Sequence, residues 1–176
     1  MDKSLARTSK LLSLVLRHKP DEVGLTLDNG GWAKVSELLH ACNISREQLE
    51  QIVAENSKSR FIFSDDGLKV RATQGHSIPV DLGYEASAPP EVLFHGTHES
   101  VVASILEKGL LKGKRQHVHL SSNASTAVEV GRRHGRPVVF RVDTRSCVGM
   151  GLEFFVTPNG VWLTDHVPAD ALALHE

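Results

Sequence analysis

The second half of the chain is organised around the stretch Val92-Leu93-Phe94-His95-Gly96-Thr97. Its apolar run predicts a buried strand, and the His-Gly-Thr end, followed by a helical pattern, predicts a small-residue turn. Gly96 would let the backbone approach a ligand closely, while His95 and Thr97 would bring polar atoms to the rim of a pocket. Residues 117–121, His-Val-His-Leu-Ser, repeat the theme, with histidines at alternate positions of a second short strand. Together the two strands predict one shared pocket.

The bulk composition is that of an ordinary globular protein. A chain of 176 residues suffices for one domain with a sound core or for two small ones, and 40% hydrophobic with 23% charged residues fits either. Lys plus Arg number 20 against 21 Asp plus Glu, a formal charge of −1. No global field therefore attracts nucleic acid, and any site for a polyanion must be a local cluster.

Cysteine usage and hydropathy predict a soluble, cytoplasmic protein. Cys42 and Cys147 have no metal-ligand spacing, so reduced, buried thiols of an intracellular protein are expected, and no metal site is predicted. No apolar run reaches the ~18–20 residues that cross a bilayer. The first residues, 1–4, lack the pattern of a secretory signal. A monomer is the default expectation.

The first half begins with a helix predicted over residues 5–18, which carries an apolar stripe and is stopped by Lys19-Pro20. Arg17 and His18 occupy its last turn, where the plain interpretation is a cationic cap favoured by the helix dipole. Residues 24–27 predict a short strand before a tight turn and Trp32. Further predictions are helices over 36–42 and 45–55, the latter with a capping box, and a hairpin of strands 60–63 and 68–72.

This order of elements is the layout of a winged helix, a module that commonly binds nucleic acid. The candidate recognition helix carries Glu47, Glu50 and Glu55, a poor face for the major groove, so reading of duplex sequence is not expected. Behind the second hairpin strand, Arg71 is followed by Gln74, His76 and Ser77. A plain loop explains these residues, but an arginine with several short donors also makes a good cradle for a phosphate.

Residues 78–90 are rich in Pro, Ala, Gly and Ser and predict a linker. Beyond it the pattern predicts a compact α+β domain with a split, mostly antiparallel sheet. The predicted strands are 92–95, 118–120, 138–142, 152–156 and 161–163, the last two joined by a hairpin, and the predicted helices are 100–108 and 124–133. Neither a Gly-x-Gly-x-x-Gly nor a Walker loop is present, which disfavours a Rossmann site.

Two basic groups remain open to two interpretations, a solvated surface or contact with RNA backbone phosphates. They are Lys112, Lys114 and Arg115 before the histidine strand, and Arg132, Arg133 and Arg136 around a helix end.

Six motifs, in one order from about residue 4 to 168, resemble the RNA 2′-phosphotransferases, the KptA or tRNA 2′-phosphotransferase family. They are Leu14-Val15-Leu16-Arg17-His18, Gly31-Trp32, Arg71-Ala72-Thr73-Gln74-Gly75-His76-Ser77, His95-Gly96-Thr97, His117-Val118-His119-Leu120-Ser121 and Gly131-Arg132-Arg133.

The resemblance implies a winged-helix, RNA-binding lobe over residues 1–77, the linker 78–90, and an ADP-ribosyltransferase-like lobe over 91–176 that binds NAD⁺. Such an enzyme removes an internal RNA 2′-phosphate, typically at a tRNA splice junction, and transfers it to NAD⁺. The products are 2′-hydroxyl RNA, nicotinamide and ADP-ribose 1″,2″-cyclic phosphate, formed through a 2′-phospho-ADP-ribosylated RNA.

The family's catalytic set falls on Arg17, His18, Arg71 and Arg133, the last chosen over Arg132 by the Gly-x-Arg spacing. Three arginines would clamp the phosphoryl group, on which negative charge accumulates, and His18 would position it or protonate the leaving oxygen. Gln74, His76 and Ser77 would support the substrate phosphate. Positive charge from both lobes is expected to converge on one phosphoryl group.

The resemblance places NAD⁺ on His95, Gly96, Thr97, His119 and Ser121. Protein-modifying relatives of the fold carry a glutamate where Val161 aligns, so protein ADP-ribosylation is disfavoured. His76 and His117 are equally well interpreted as support for the site or as satisfied loop histidines. Two alternative functions remain: an ADP-ribosyltransferase acting on terminal phosphates of RNA or DNA, and a non-catalytic winged-helix NAD sensor.

Overall fold

The structure, a computed structural model, describes residues 3–55, 59–133 and 135–175. The chain divides into two compact units at Gly83, and we call residues 1–83 the N-terminal unit and residues 84–176 the C-terminal unit. Each has its own hydrophobic core, with Leu16 and Phe61 deep in the first and Leu93 and Phe154 deep in the second. None of the helices in these described ranges is long and apolar enough to cross a membrane.

The N-terminal unit combines three helices with a small antiparallel sheet in the order β1-β3-β2. Its elements are α1 (Lys3–Arg17), a 3₁₀ turn (Pro20–Val23), β1 (Ala33–Lys34), α2 (Val35–Cys42), α3 (Arg46–Glu55), β2 (Phe61–Phe63) and β3 (Lys69–Ala72). The predicted apolar stripe of α1 is confirmed, because Leu12, Val15 and Leu16 are fully buried. The helix ends at Arg17, one residue before the predicted end at residue 18, and the proline turn follows.

The local signals for α3 and for the hairpin are also confirmed. The Ser45 hydroxyl accepts from the Gln48 N–H at 3.2 Å, and the Gln48 side chain accepts from the Ser45 N–H at 2.9 Å, which is a complete capping box. Between β2 and β3 the chain reverses through Gly67, whose φ of 67° is in the left-handed region that glycine tolerates.

The strand predicted over residues 24–27 is wrong. Gly24, at φ 66°, ends the 3₁₀ turn, and the Leu25 N–H donates to the Pro20 carbonyl at 3.0 Å instead of to a neighbouring strand. Leu25 is nevertheless buried, so its apolar character reflects the core and not a sheet. The small sheet instead contains β1 (Ala33–Lys34), which follows the turn closed by the Gly31 N–H and the Asp28 carbonyl.

The C-terminal unit is built on a six-stranded antiparallel sheet in the order β11-β7-β4-β6-β9-β8. Its strands are β4 (Val92–His98), β5 (Leu110–Leu111), β6 (Val118–Ser121), β7 (Pro137–Asp143), β8 (Phe155–Val156), β9 (Val161–Thr164), β10 (His166–Val167) and β11 (Leu172–Leu174), and β5 and β10 form a separate pair. Its helices are α4 (Val102–Lys108), α5 (Ala124–Gly131) and α6 (Thr144–Gly149). The predicted mixed α+β class with antiparallel sheets is thus confirmed.

Strand β4 lies at the centre of this sheet and runs three residues further than predicted. It pairs with β7 along its whole length, from Val92 opposite Asp143 to His98 opposite Pro137, but meets β6 at one registered pair, Phe94 and Ser121. The sheet is therefore continuous on one side of β4 and narrowly joined on the other.

Helix α5 packs on β4 through glycine. A Cβ on Gly96 would lie 1.7 Å from the Ala127 carbonyl oxygen, and a Cβ on Gly131 would lie 2.3 Å from the Thr97 carbonyl oxygen. No side chain fits at either position, since both neighbours are backbone atoms. The close approach that Gly96 allows is therefore made by α5.

Several boundaries in this unit differ from prediction. Helix α5 ends at Gly131 instead of residue 133, and the segment predicted as helix from residue 100 begins with a 3₁₀ turn, Glu99–Val101. Of the strand predicted over 152–156 only Phe155–Val156 pairs, because the Leu152 N–H donates to the Cys147 carbonyl behind α6. The hairpin between β8 and β9 is as predicted.

Candidate active site

The Arg17-His18 pair at the end of α1 is tied to one residue of the loop that follows β3. The Ser77 N–H donates to the Arg17 carbonyl at 3.0 Å, and the Ser77 hydroxyl lies 2.9 Å from His18 Nδ1. The loop is itself anchored by the buried Thr73, whose hydroxyl donates to the Arg60 carbonyl at 3.3 Å. These bonds bring two segments far apart in sequence into one cluster and fix the plane of the His18 ring.

The Arg17 guanidinium packs between a ring and a glycine. Its Cζ lies 6.0 Å from the centroid of the Phe61 ring, and its Nη1 would be 3.5 Å from a Cβ on Gly75. Gly75 adopts φ 88°, which favours glycine, so the loop can pass directly against the guanidinium.

Arg71 lies on the middle strand of the small sheet. Its neighbours Val70 and Ala72 are fully buried on the core face, so the alternation of the strand directs Arg71 to the opposite face, where it is half-buried. Its Nη1 donates to the Gly30 carbonyl at 3.1 Å and to the Leu82 carbonyl at 3.2 Å. Through Nη1 the guanidinium is therefore anchored to two backbone carbonyls.

His76 is the most unusual residue of this cluster. Its side chain is 1% exposed, and within the described ranges neither ring nitrogen has a hydrogen-bond partner. Burial, with the charges of Arg17, His18 and Arg71, lowers the pKa of His76 to about 4. Every charged neighbour that acts on this pKa is a base, so the cluster favours an anion.

Of the two interpretations of His76, support for the site is therefore favoured over a satisfied loop histidine. The imidazole is neutral at pH 7 and retains one donor and one acceptor, which a buried polar group normally uses. Its Nε2 lies against Gly31, where an added Cβ would be 3.4 Å away. Gln74, in the same loop, is half-buried.

The C-terminal unit places its predicted residues where β4 meets β6. His95 Nδ1 lies 3.0 Å from the His119 carbonyl, beside the single registered pair, and His119 Nδ1 lies 3.0 Å from the His117 carbonyl. Along β6, Val118 and Leu120 are buried, so the alternate residues His119 and Ser121 lie on the other face. The two histidine strands are therefore neighbours in the sheet, and the shared pocket that the sequence predicts for them stays a prediction.

Burial lowers the pKa of His95, the hydrogen bond to the His119 carbonyl opposes this shift, and the charge of Arg115 adds to it. Thr97 is buried, whereas Ser121 is half-buried and its hydroxyl accepts from the Asn123 N–H at 3.2 Å. That bond links β6 to the start of α5.

Arg115, which the sequence named only as part of a basic group that could be a solvated surface or contact RNA, is a further candidate for the site in the C-terminal unit. Arg115 as a whole residue is exposed, but its guanidinium is partly buried. This burial, and secondarily the charge of Arg133, lower the pKa of Arg115. Arg133 itself is exposed just beyond the end of α5. Lys112, by contrast, is engaged by Asp165 at 2.6 Å. The only signal for Arg115 was its place two residues before the histidine strand.

Comparison with known proteins decides the family. The sequence model described as "RNA 2′-phosphotransferase, Tpt1 / KptA family" matches residues 3–166. The chain belongs to the RNA 2′-phosphotransferase family.

Curated relatives agree over nearly their whole length. Proteins named "Probable RNA 2′-phosphotransferase" are 49% identical in Acaryochloris marina, over 96% of both chains, and 50% identical in Trichormus variabilis, over 94% of both. A third, from Agrobacterium fabrum, is 49% identical over 95% of this chain and 92% of its own. All six motifs of the resemblance lie within the region that the family model matches.

A cavity of about 450 Å³ lies elsewhere in the C-terminal unit, at the edge formed by β7 and β11. Glu91, Arg141, Asp143, Arg145 and Asp170 are among its lining residues. Charges of both signs line it, and Arg145 pairs with Glu91. None of the predicted site residues lines this cavity.

No group of three or more His, Cys, Asp or Glu side chains in the described part of the chain is arranged to hold a metal ion. Cys42 and Cys147 are free and buried, as the sequence predicted, and burial raises the pKa of both thiols.

Proposed function

We propose that this protein transfers an internal 2′-phosphate from RNA to NAD⁺, giving 2′-hydroxyl RNA, nicotinamide and ADP-ribose 1″,2″-cyclic phosphate. The observation that carries the proposal is His76, a buried imidazole with both nitrogens unused and three bases acting on it. A desolvated, positively charged cluster with spare hydrogen-bonding capacity is suited to a phosphate dianion. Family membership indicates which phosphate is transferred, because the curated relatives are named "Probable RNA 2′-phosphotransferase".

The N-terminal unit would bind the RNA phosphate. Arg17 and Arg71 supply guanidinium groups already backed by protein atoms, so little side-chain freedom is lost when the phosphate arrives. His76, neutral, can donate one hydrogen bond to a phosphate oxygen without adding charge. Gln74 and Ser77 complete the loop around it.

The chemistry requires positioning and charge stabilisation more than a strong base. The RNA 2′-phosphate is itself an adequate nucleophile towards C1″ of the nicotinamide ribose, so the residues around it need only hold it in line. When the ribose 2″-hydroxyl then attacks phosphorus, charge accumulates on the phosphoryl oxygens, and Arg17, Arg71 and Arg133 would stabilise it. His18, oriented by Ser77, would position the group or protonate the departing RNA 2′-oxygen.

The C-terminal unit would hold NAD⁺ as co-substrate, through His95, Gly96, Thr97, His119 and Ser121. The residues fit an anionic dinucleotide, because Arg115 and Arg133 lie near each other. Burial, and secondarily the charge of Arg133, lower the pKa of Arg115. An anion between like charges relieves that repulsion. Burial also lowers the pKa of His95, which would meet the ligand as a neutral donor or acceptor.

The fold supports the same assignment. We assign the N-terminal unit, with three helices and a three-stranded antiparallel sheet, as a winged-helix RNA-binding lobe, and the C-terminal unit as an ADP-ribosyltransferase-like lobe. The narrow joint between β4 and β6 is the feature that favours a split sheet.

The test is incubation of the protein with NAD⁺ and an oligonucleotide that carries one internal 2′-phosphate. Loss of that phosphate from the RNA, with release of nicotinamide and the cyclic phosphate, is the expected result. ADP-ribose left on a terminal phosphate would instead indicate the nucleic-acid ADP-ribosyltransferase. Binding of NAD⁺ without nicotinamide release would indicate the sensor and contradict the proposal.

A further inference from the structure

The backbone around Trp32 is held in place by hydrogen bonds to Asp28. The backbone N–H of Trp32 donates to Asp28 Oδ1 at 3.0 Å, and the Trp32 carbonyl accepts from the backbone N–H of Asp28 at 2.9 Å. The same carboxylate oxygen accepts from the Gly30 N–H at 3.0 Å, and Oδ2 accepts from Lys69 Nζ at 2.9 Å. One aspartate therefore closes the turn before β1 and fixes the backbone that carries the indole.

The indole contacts the guanidinium of Arg71. Ala33 pairs with Val70 in the antiparallel register of β1 and β3, and one residue further along this register Trp32 lies opposite Arg71. The Arg71 Cζ lies over the indole ring, 4.4 Å from its centroid. This distance is well inside the range of a favourable cation–π contact, and cross-strand neighbours interact in this way.

The turn acts on Arg71 from a second side. The carbonyl that accepts from Arg71 Nη1 at 3.1 Å belongs to Gly30, which Asp28 also fixes. Ring and carbonyl therefore come from the same turn and constrain the plane and one nitrogen of the guanidinium together. A forked donor meets a phosphate with two parallel bonds only when its plane is already set, so this constraint bears on phosphate binding.

The contact is not a by-product of core packing. In the described part of the N-terminal unit, Trp32 stands outside the set of side chains that pack into the core. Gly30 lies against the indole edge, where an added Cβ would be 3.1 Å from Cδ1. The ring is thus confined on one side by the turn and on its face by Arg71.

We propose that Trp32 is a positioning residue, which holds the guanidinium of Arg71 in the orientation that receives the RNA 2′-phosphate. The proposal rests on the proposed function. Trp32 acts through Arg71 and need not touch the substrate.

The test measures the preference of the full chain for a 2′-phosphorylated oligonucleotide over the same oligonucleotide with a 2′-hydroxyl, without NAD⁺. This preference is the Kd for the 2′-hydroxyl oligonucleotide divided by the Kd for the 2′-phosphorylated one. Trp32→Leu should reduce the ratio about tenfold, which equals ~1.4 kcal/mol and is in the range of a partly desolvated cation–π contact. Trp32→Tyr keeps an aromatic face and should stay within about threefold of wild type. Trp162→Leu, the matched loss of the other tryptophan, should leave the ratio unchanged.

The double variant separates positioning from direct contact. With Arg71→Met in place, Trp32→Leu should reduce the ratio no further. A further fall would mean that the indole contacts RNA itself and would overturn the proposal, as would a wild-type ratio in Trp32→Leu. If wild type showed no preference for the phosphorylated RNA, the proposed function would fail and this inference with it.

A second measurement keeps the indole in place, in case Trp32→Leu does not fold. In a Trp162→Phe background Trp32 is the only tryptophan, and its emission should respond to the 2′-phosphorylated oligonucleotide more than to the 2′-hydroxyl one. Arg71→Met should remove that difference. A difference that persists would contradict the proposal.

Discussion

The Ser77 hydroxyl lies 2.9 Å from His18 Nδ1, while the Ser77 N–H donates to the Arg17 carbonyl at 3.0 Å. One serine thus joins the loop after β3 to both residues of the Arg-His pair. The sequence predicted Ser77 as support for the substrate phosphate, and the geometry adds a role in orienting His18.

Ser77→Ala should slow phosphate transfer about tenfold, because one hydrogen bond of ~1–1.5 kcal/mol that orients His18 is lost. Single-turnover rates measure this, with Ser77→Thr as the control that keeps the hydroxyl. In a His18→Ala background the same change should cost nothing more. An undiminished cost there would show that Ser77 acts on the phosphate directly.

His18→Ala should slow the second step more than the first, because the departing RNA 2′-oxygen then lacks its acid. The 2′-phospho-ADP-ribosylated RNA should accumulate and appear as a slower band on a denaturing gel. His40→Ala, which removes another exposed histidine of the N-terminal unit, should give no such band. Absence of the band in His18→Ala would restrict His18 to the first step.

Arg71→Ala should reduce product formation below about a tenth of the wild-type rate, a loss of more than ~1.4 kcal/mol of transition-state stabilisation. The fold should persist, as a thermal melt would show. Arg46→Ala is a matched control, because Arg46 also packs over an aromatic ring, Phe63 at 5.6 Å, but is not a predicted site residue. Activity above a tenth in Arg71→Ala would contradict a phosphate clamp.

His76 should make stability depend on pH in the acid range. Its pKa is about 4 in the folded state and near 6.5 when unfolded, so between these values the unfolded chain binds the extra proton. The stabilisation that the neutral His76 contributes is fully present above about pH 6.5. It declines as the pH falls from 6.5 through 4, by about 3 kcal/mol in all. The bases that resist protonation of His76 are Arg17, His18 and Arg71.

Denaturant unfolding of wild type and of His76→Asn at pH 7 and at pH 4.5 measures this contribution. The free energy of unfolding should fall less in the variant, which has no proton to take up there. Equal slopes in wild type and His76→Asn would refute the prediction.

Gly96→Ala should destabilise the C-terminal unit by more than about 1–3 kcal/mol, the usual cost of overpacking, because the new methyl meets the backbone of Ala127, which cannot move aside. Thermal melting measures this. Gly149→Ala is the control: a Cβ at that helical glycine meets nothing within 4 Å and should cost little. A melting temperature unchanged by Gly96→Ala would contradict the packing of α5 on β4.

Local patterns predicted those elements whose causes are local. The stripe on α1, the Ser45–Gln48 capping box and the Gly67 hairpin each depend on residues a few positions apart, and all are present. The strand predicted at residues 24–27 failed because Gly24 takes a left-handed conformation that redirects the next N–H. Apolar character alone does not distinguish a core residue from a strand residue.

The electrostatics of the candidate site could not be derived from pattern. From the sequence His76 could be either a supporting or a satisfied histidine, and only its burial against Gly31 beside Arg17 favours the first. The contact of Trp32 with Arg71 joins residues far apart in sequence through the strand register. The family motifs predicted which residues form the site, whereas the hydrogen bonds of those residues depend on the tertiary fold.

Helix α5 is seated on β4 by main chain against main chain, at two points one helical turn apart, Gly96 against Ala127 and Gly131 against Thr97. Substitutions that enlarge or shrink core side chains leave such a spacing almost unchanged. The position of α5 over β4 therefore depends on these two glycines more than on the size of the core side chains around them. The contact between helix and strand needs no particular side-chain shape, but it leaves no room for a methyl group at either glycine.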